Sequence, residues 1–349
     1  MKAHWHRHPH AAALVLGMAG LLAMSGCSDG TRGNSAASST SDAKAADVDE
    51  NAAIKFSQEK TGVPQPGQRL FASPEEAAAA FKEAVAASDR RTLVAIFGNE
   101  GKQLIFSGDR VQENNDLRAF AARMTEYLHV GRSSETSAVV CVGKENWPFP
   151  IPVVKSGDGW FFDTVAGREE LLDRRIGEDE LNAIAVCRAY VAAQKEYARK
   201  DRMGDGVIQY AQHVMSRPGK QDGLYWEAGS DEELSPMGPL VAEARLEGYP
   251  ATSTTNGKPH PYQGYIFHIL KAQGDAAPGG QMSYLVNGKM TRGFAMIVRP
   301  SAYNASGIMT FIVAKDGKVY QKNLGENTRE IVAAMTEYNP DKSWEEAKD

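Results

Sequence analysis

Residues 218–226 bring charged and aromatic side chains together in a predicted loop. Lys220 and Asp222 supply opposite charges, and Tyr225 and Trp226 supply large rings. Loops carried on a rigid scaffold often hold binding residues, so these four form a candidate binding site. The alternative, which the apolar run 224–226 favours, is that Trp226 is buried and caps the core of a following sheet.

Residues 201–206 have the outline of a calcium-binding loop. Asp201 and Asp205 precede a glycine, and alternating oxygen ligands before a glycine turn suit this cation. However, Met203 occupies the third position and Gln212 the twelfth, where further oxygen ligands are expected. The sequence therefore favours a turn that ends a helix, with Asp201 and Asp205 as weak metal candidates and no metal site predicted.

We predict no catalytic residues and no cofactor from the sequence. A Gly-x-Ser-x-Gly elbow is missing, and Ser306 follows a loop rather than a strand. His213, His260 and His268 lie on different predicted elements, with no nucleophile or carboxylate placed beside any of them.

The first 27 residues predict export and lipid attachment at Cys27. A basic start precedes an apolar run at 11–24, too short for the roughly 20 residues of a membrane span. The ending resembles the bacterial lipobox, in which the cysteine is acylated, with Met24 where leucine is usual. With Ser28 next, the resemblance implies an outer-membrane lipoprotein facing the periplasm. The alternative is ordinary secretion with an unmodified Cys27.

Composition limits the classes of partner. The chain has 349 residues, 42% hydrophobic content and a net charge of -5, and it has no basic stripe of the kind that binds nucleic acid. We expect a membrane partner through Cys27 and an unidentified envelope protein. Cys141 and Cys187 lie on a predicted strand and a predicted helix; they either pair or stay as separate buried thiols.

The chain divides into four predicted segments. Residues 1–26 form the signal peptide, and 27–68 form a disordered tether that is poor in large apolar residues. Residues 69–166 predict an N-terminal α+β domain. Residues 167–349 predict a C-terminal α+β domain.

In the N-terminal domain, Ser73, Pro74 and Glu76 have the spacing of a capping box that starts a helix. Asp89 starts a second helix, and a third amphipathic helix follows at 117–128. Apolar runs at 138–142, 151–154 and 160–165 predict an antiparallel sheet. Helices followed by a curved sheet loosely resemble the cone-shaped nuclear transport factor 2-like domains, which implies a cavity.

The C-terminal domain is predicted to be an antiparallel meander packed on a long buried helix. A short helix at 168–176 precedes a long one at 178–199, whose first half is apolar on nearly every side, with Leu181 and Ile184 buried. The second half should run into solvent. Another helix is expected at 207–215. Strands follow from 262 to 322, with tight turns at 287–288 and 316–317.

Several ordered motifs resemble one exported bacterial family, domain of unknown function 2950. They include Pro-Gly-Lys-Gln-Asp-Gly-Leu-Tyr-Trp at 218–226, Ser-Pro-Met-Gly-Pro-Leu at 235–240 and Pro-Tyr-Gln-Gly-Tyr at 261–265. The resemblance implies location and fold but no activity. The helix and meander more weakly resemble the globular half of type IV pilin-like proteins.

Together these observations predict an α+β, lipid-anchored envelope protein with a non-enzymatic binding or scaffold role. The alternative is a periplasmic enzyme, a hydrolase with its site near residues 218–226. A concave polar pocket that contains a titratable residue with a perturbed pKa would favour the enzyme, whereas a filled cleft and an exposed apolar patch would favour the scaffold.

Overall fold

The computed structural model describes residues 62–229, 233–250, 254–255 and 258–348. Cys27, the predicted signal peptide and nearly all of the predicted tether lie outside this range. The fold is α+β, as the sequence predicts. Within the described residues, no helix is both long enough and apolar enough to cross a bilayer.

Seven α-helices lie in the described residues. The helices are α1 Pro74–Ala86, α2 Arg90–Phe97, α3 Lys102–Ile105, α4 Arg110–Glu126, α5 Thr164–Tyr197, α6 Gly238–Leu246 and α7 Thr328–Ala334. The predicted N-cap at Ser73 is confirmed, because Ser73 Oγ accepts the N–H of Glu76 at 3.0 Å. Glu76 Oε2 accepts the N–H of Ala72, one residue before the cap, at 2.9 Å, so the return bond of the predicted capping box goes to a different residue.

Strands follow in two groups. The first group is β1 Leu128–Arg132, β2 Ser137–Val142, β3 Trp147–Pro148, β4 Val153–Ser156 and β5 Gly159–Phe162. The second group is β6 His213–Met215, β7 Gly223–Tyr225, β8 Thr254–Thr255, β9 Lys258–Pro259, β10 Tyr265–Leu270, β11 Ala272–Gln273, β12 Met282–Ser283, β13 Leu285–Val286, β14 Lys289–Met290, β15 Ala295–Pro300, β16 Met309–Ala314, β17 Val319–Asn323 and β18 Glu345–Glu346.

The chain forms two compact units. Within the described residues, unit 1 comprises 62–105 and 114–171, and unit 2 comprises 106–113 and the described residues from 172 onward. The domain boundaries expected from sequence, 69–166 and 167–349, stay a prediction. The units differ from them because unit 2 includes residues 106–113 and unit 1 extends to residue 171.

Unit 1 packs its helices against an antiparallel sheet with strand order β1-β2-β4-β5, and β3 pairs with β2. A group of phenylalanines fills the core between them. The ring of Phe81 lies 5.1 Å from those of Phe97 and Phe149 and 5.4 Å from that of Phe162, measured between centroids. Such edge-on and tilted contacts are the favoured aromatic arrangements.

Unit 2 is built on the antiparallel sheet β10-β15-β16-β17-β18, which confirms the predicted meander. Tyr190 of α5 is fully buried in the core of this unit, and its hydroxyl donates to the carbonyl oxygen of Ala295 at 3.2 Å. Asn287 and Gly288 both have positive φ, which suits the tight turn predicted there. Gly317 likewise has a φ of 84° in the turn between β16 and β17.

Helix α5 corrects two predictions. The expected break at Gly177 is wrong, because the helix is continuous from Thr164 to Tyr197. The expected exit of its second half into solvent is also wrong: Tyr190, Gln194 and Tyr197 are buried along one face. The helix is therefore amphipathic throughout. Ile184 is buried as predicted, but the predicted burial of Leu181 is also wrong, because Leu181 is 59% exposed.

The predicted helix at 207–215 is wrong as well. This segment is extended: Tyr210 N–H donates to Met290 O at 2.7 Å, and Ala211 exchanges hydrogen bonds with the side chain of Gln194 at 2.8 and 2.9 Å. Ala211 is buried in the core, and Tyr210 and Val214 pack against it, whereas Ile208 is 58% exposed.

The two cysteines that the sequence left open do not pair with each other. Cys187 is a free thiol, fully buried in the core of unit 2, and burial raises its pKa to about 12. Cys141 lies in β2 of unit 1 and is also fully buried.

Candidate functional site

A pocket of about 510 Å³ lies in unit 2, beside the loop that the sequence singles out. Its wall comes from four parts of the chain: Tyr197 of α5, the segment 203–217, Asp222, and the turn at Gly288 and Lys289. The pocket is therefore assembled from residues far apart in sequence, as small-molecule sites commonly are.

The backbone of the 218–226 loop is fixed by a short parallel pair of strands. In this pair β6 and β7 align His213 with Gly223 and Met215 with Tyr225. Gly223 is required here, because a Cβ atom at this position would lie 2.7 Å from the backbone of Met215 and Ser216. Ser216 Oγ also accepts the N–H of Gly223 at 2.9 Å.

Asp222 closes the loop through Arg217. Its Oδ1 accepts the backbone N–H of Arg217 at 2.9 Å, and its Oδ2 accepts the side-chain Nε–H at 2.5 Å. Asp222 is buried, whereas the side chain of Arg217 is 71% exposed. Burial alone would raise the pKa of Asp222, but the hydrogen bonds and positive charge of Arg217 outweigh it and hold the pKa below its ordinary value.

The second ion pair in the pocket joins Asp205 to Lys289. Asp205 Oδ2 lies 3.0 Å from Lys289 Nζ, and Oδ1 accepts the N–H of Val207 at 3.1 Å. Gln212 Nε2 donates to Gly288 O at 2.8 Å and so ties the extended segment to the turn. The pocket thus contains two carboxylates and two cationic side chains, with His213 and Gln209 also on its wall.

Each tyrosine of the pocket has a cationic side chain over its ring. The Arg202 guanidinium lies 5.3 Å from the ring of Tyr197. The ring of Tyr210 lies 4.8 Å from that of Phe294, and Lys315 Nζ lies 5.5 Å from it. Tyr197 also donates its hydroxyl to Gln221 O at 2.5 Å, and burial raises its pKa to about 12.

The four candidate binding residues are not brought together. Asp222 lines the pocket, but Lys220 is exposed outside the wall and only donates its backbone N–H to Arg217 O at 3.0 Å. Tyr225 is half-buried with the Arg245 guanidinium 5.2 Å from its ring. Trp226 is buried, and its indole Nε1–H donates to Glu233 O at 3.1 Å.

Trp226 is therefore buried with its indole N–H bonded inside the protein, which is the alternative that the apolar run at 224–226 favours. The side chain of Arg202, only 1% exposed, lies over its ring at 5.1 Å. The same guanidinium donates to both carboxylate oxygens of Glu233, at 3.0 and 3.3 Å. This cluster of Arg202, Trp226 and Glu233 holds the end of the loop against α5.

The weak metal candidates have different roles. Asp201 accepts backbone N–H groups from Met203, Gly204 and Gly206 at 2.7–3.0 Å, which folds the turn and lowers its pKa, the Gly206 bond contributing most. Asp205 lines the pocket and pairs with Lys289. Among the described residues, no group of three or more His, Cys, Asp or Glu side chains has the arrangement of a metal site.

Sequence reasoning missed Arg217, His213 and Lys289 as pocket residues. Arg217 directly precedes Pro218 and so borders the segment already singled out. Lys289 lies 84 positions beyond Asp205, and nothing local in the sequence connects them.

Comparison with known proteins places the chain in a family. A family model described as a protein of unknown function, DUF2950, matches residues 68–347. The chain belongs to this family. The match covers both units, and it agrees with the resemblance carried by the sequence motifs. Nothing among curated proteins matches this chain. No solved structure matches it either, so the nuclear transport factor 2-like and pilin-like resemblances stay predictions.

Proposed function

We propose that this protein is a lipid-anchored protein of the bacterial cell envelope that binds a small polar ligand in the pocket of unit 2. The observation that carries the binding role is the pocket itself, with Arg217 fixed on its wall by Asp222. Its volume of about 510 Å³ falls within the range of about 300–1,000 Å³ usual for small-molecule sites.

The chemistry of Asp222 favours binding over hydrolysis. A general base works best when its pKa lies near the working pH. The pKa of Asp222 is held below its ordinary value, and both of its oxygens accept hydrogen bonds from Arg217. Asp222 is thus suited to orient a cationic side chain, which is a binding function.

Anchoring rests on the sequence around Cys27. The apolar run is too short to span a bilayer, and small residues precede the cysteine. A single acyl chain binds membranes only marginally, so stable attachment needs more than one. We propose that Cys27 carries such lipid groups and that residues 28–61 tether the folded part. The expected tether ends earlier than residue 68, because Gln68 is buried and donates to Ile96 O and Phe162 O at 2.9 and 2.8 Å.

The anchor is tested by fractionation of the full chain and of Cys27→Ala. Wild type should sediment with outer membranes and carry a lipid-modified N-terminus, and Cys27→Ala should stay unprocessed or leave the membrane fraction. Soluble wild-type protein with an unmodified Cys27 would contradict the anchor.

The binding role is tested without knowing the ligand. The exposed His213 lines the pocket, so His213→Trp should fill it, while His268→Trp places the same group on β10 away from the pocket. Small molecules released by denaturing each purified full-length protein are compared by mass spectrometry. A compound should accompany wild type and His268→Trp and be lost from His213→Trp; identical profiles from all three would refute ligand binding.

A further inference from the structure

We propose that the ligand of this pocket is a small zwitterion, an amino acid or dipeptide, whose carboxylate is bound by the terminal nitrogens of Arg217. This inference rests on the proposed binding function and specifies its ligand class. It is carried by the orientation of Arg217, by the charge balance of the pocket, and by the burial of its two tyrosines.

Asp222 holds Arg217 through the backbone and Nε, which leaves the terminal nitrogens Nη1 and Nη2 available for a ligand. Within the described part of the chain, Nη1 and Nη2 form no hydrogen bond, and the side chain is largely exposed. Because the guanidinium is planar and rigid, fixing Nε also fixes the edge formed by Nη1 and Nη2. That edge matches a carboxylate with two parallel hydrogen bonds.

The charge of the pocket selects a ligand with little net charge. Asp222 offsets Arg217, and Asp205 offsets Lys289, so the two pairs are close to neutral together. A dianion such as phosphate would be repelled by the two carboxylates on the pocket wall. A carboxylate accompanied by an ammonium group avoids this repulsion.

An acceptor for the amino group is also present. Gln212 lines the pocket and uses its Nε2 to donate to Gly288 O. Its amide oxygen remains an acceptor, and the oxygens of Asp205 have further lone pairs. The pocket therefore offers a donor group for the carboxylate and acceptor groups for the ammonium of a small zwitterion.

The tyrosines argue against a sugar ligand. Ring stacking would need an open aromatic face. Tyr197 is buried beneath Arg202. Tyr210 is half-buried, with Lys315 over its ring and the ring of Phe294 packed edge-on against it. Recognition in this pocket therefore depends on charge and hydrogen bonds rather than on stacking.

The test is calorimetric titration of the full chain with L-alanyl-L-alanine, its C-terminal amide and inorganic phosphate. The dipeptide should bind at least about tenfold more tightly than the amide or phosphate, because only it offers a single carboxylate to Arg217. Equal binding of the amide, or tighter binding of phosphate, would overturn the ligand class.

Arg217→Lys keeps the positive charge but removes the planar fork, and it should weaken dipeptide binding about tenfold or more. Arg245→Lys is the control, since Arg245 also pairs with a carboxylate, Glu227 at 2.8 Å, but does not line the pocket. Equal losses in both variants would refute the role of Arg217.

Failure of this inference differs from failure of the proposed function. If wild type binds none of the three probes, the zwitterion inference is wrong. The proposed binding role is still supported in that case if a compound co-purifies with wild type and is lost from His213→Trp. The amide comparison uses wild type alone, so it is decisive even if Arg217→Lys is unstable.

Discussion

Asp222 binds Arg217 twice, once through the backbone N–H at 2.9 Å and once through the side-chain Nε at 2.5 Å. One buried carboxylate thereby fixes both the path of the loop and the direction of an exposed cation. Loop structure and pocket chemistry consequently depend on the same interaction, and both should respond to the charge of Asp222.

The stability contributed by Asp222 should depend on pH. Its folded-state pKa lies below the ordinary value of 3.8, so the contribution is fully present above 3.8 and is lost as pH falls through the lower, folded-state value. Asp222→Asn should lower the free energy of unfolding by about 1–2 kcal/mol at neutral pH.

This difference should shrink in urea denaturations at successively lower pH. Glu227→Gln is the control, because its ion pair with Arg245 is more exposed and exposed pairs contribute only about 0–1 kcal/mol. A difference for Asp222→Asn that stays constant through the acid range would contradict the lowered pKa.

Trp226 should be a large contributor to the stability of unit 2. Trp226→Ala removes a buried ring and its contact with Arg202, so it should cost about 3–5 kcal/mol in urea denaturation. Trp226→Phe keeps an aromatic ring beneath Arg202 and loses the hydrogen bond to Glu233 O. It should cost clearly less, and equal losses would show that the ring contact contributes little.

An introduced charge should destabilise α5 at Ile184 but not at Leu181. Ile184 is 6% exposed in the core of unit 2, and Leu181 is 59% exposed one turn earlier. Ile184→Asp should therefore lower the melting temperature strongly, since an unpaired buried carboxylate costs several kcal/mol or must be protonated. Leu181→Asp should change it little. A similar loss in both variants would mean that the exposed face of α5 is also covered.

The two glycines of α5 offer a second matched pair. A Cβ atom on Gly177 would meet nothing within 4 Å, whereas one on Gly167 would lie 2.2 Å from the carbonyl oxygen of Pro150. Gly177→Ala should raise the free energy of unfolding by about 0.5–1 kcal/mol, because alanine is the better helix former. Gly167→Ala should lower it. Thermal unfolding of both variants checks the signs, and stabilisation by Gly167→Ala would refute the close contact.

Local signals in the sequence predicted much of the fold. The helix start at Ser73 and the turns at 287–288 and 316–317 depend on neighbouring residues, so their patterns are readable directly. The break predicted at Gly177 failed because one helical glycine costs only about 1 kcal/mol, which the packing of Ile184 and Tyr190 outweighs.

The candidate site was less predictable because its contacts span long stretches of chain. Tyr210 bonds to Met290, and Asp205 pairs with Lys289; neither partnership leaves a periodic pattern. The segment at 207–215 has apolar residues at helical spacing, yet those residues reach the core from an extended backbone. Asp222 was identified because it lies within a compact sequence motif. The role of Arg217 depends on its hydrogen bonds with Asp222, which exist only in the folded loop.

The buried thiol of Cys187 can report how often the core of unit 2 opens. It is fully buried, and its pKa of about 12 keeps it almost entirely protonated at neutral pH, so alkylating reagents have neither access nor a thiolate to attack. Its labelling rate, followed on the peptide that contains it, measures how often this core exposes itself to solvent. Ligand that binds only the closed unit would slow that rate in proportion to its occupancy.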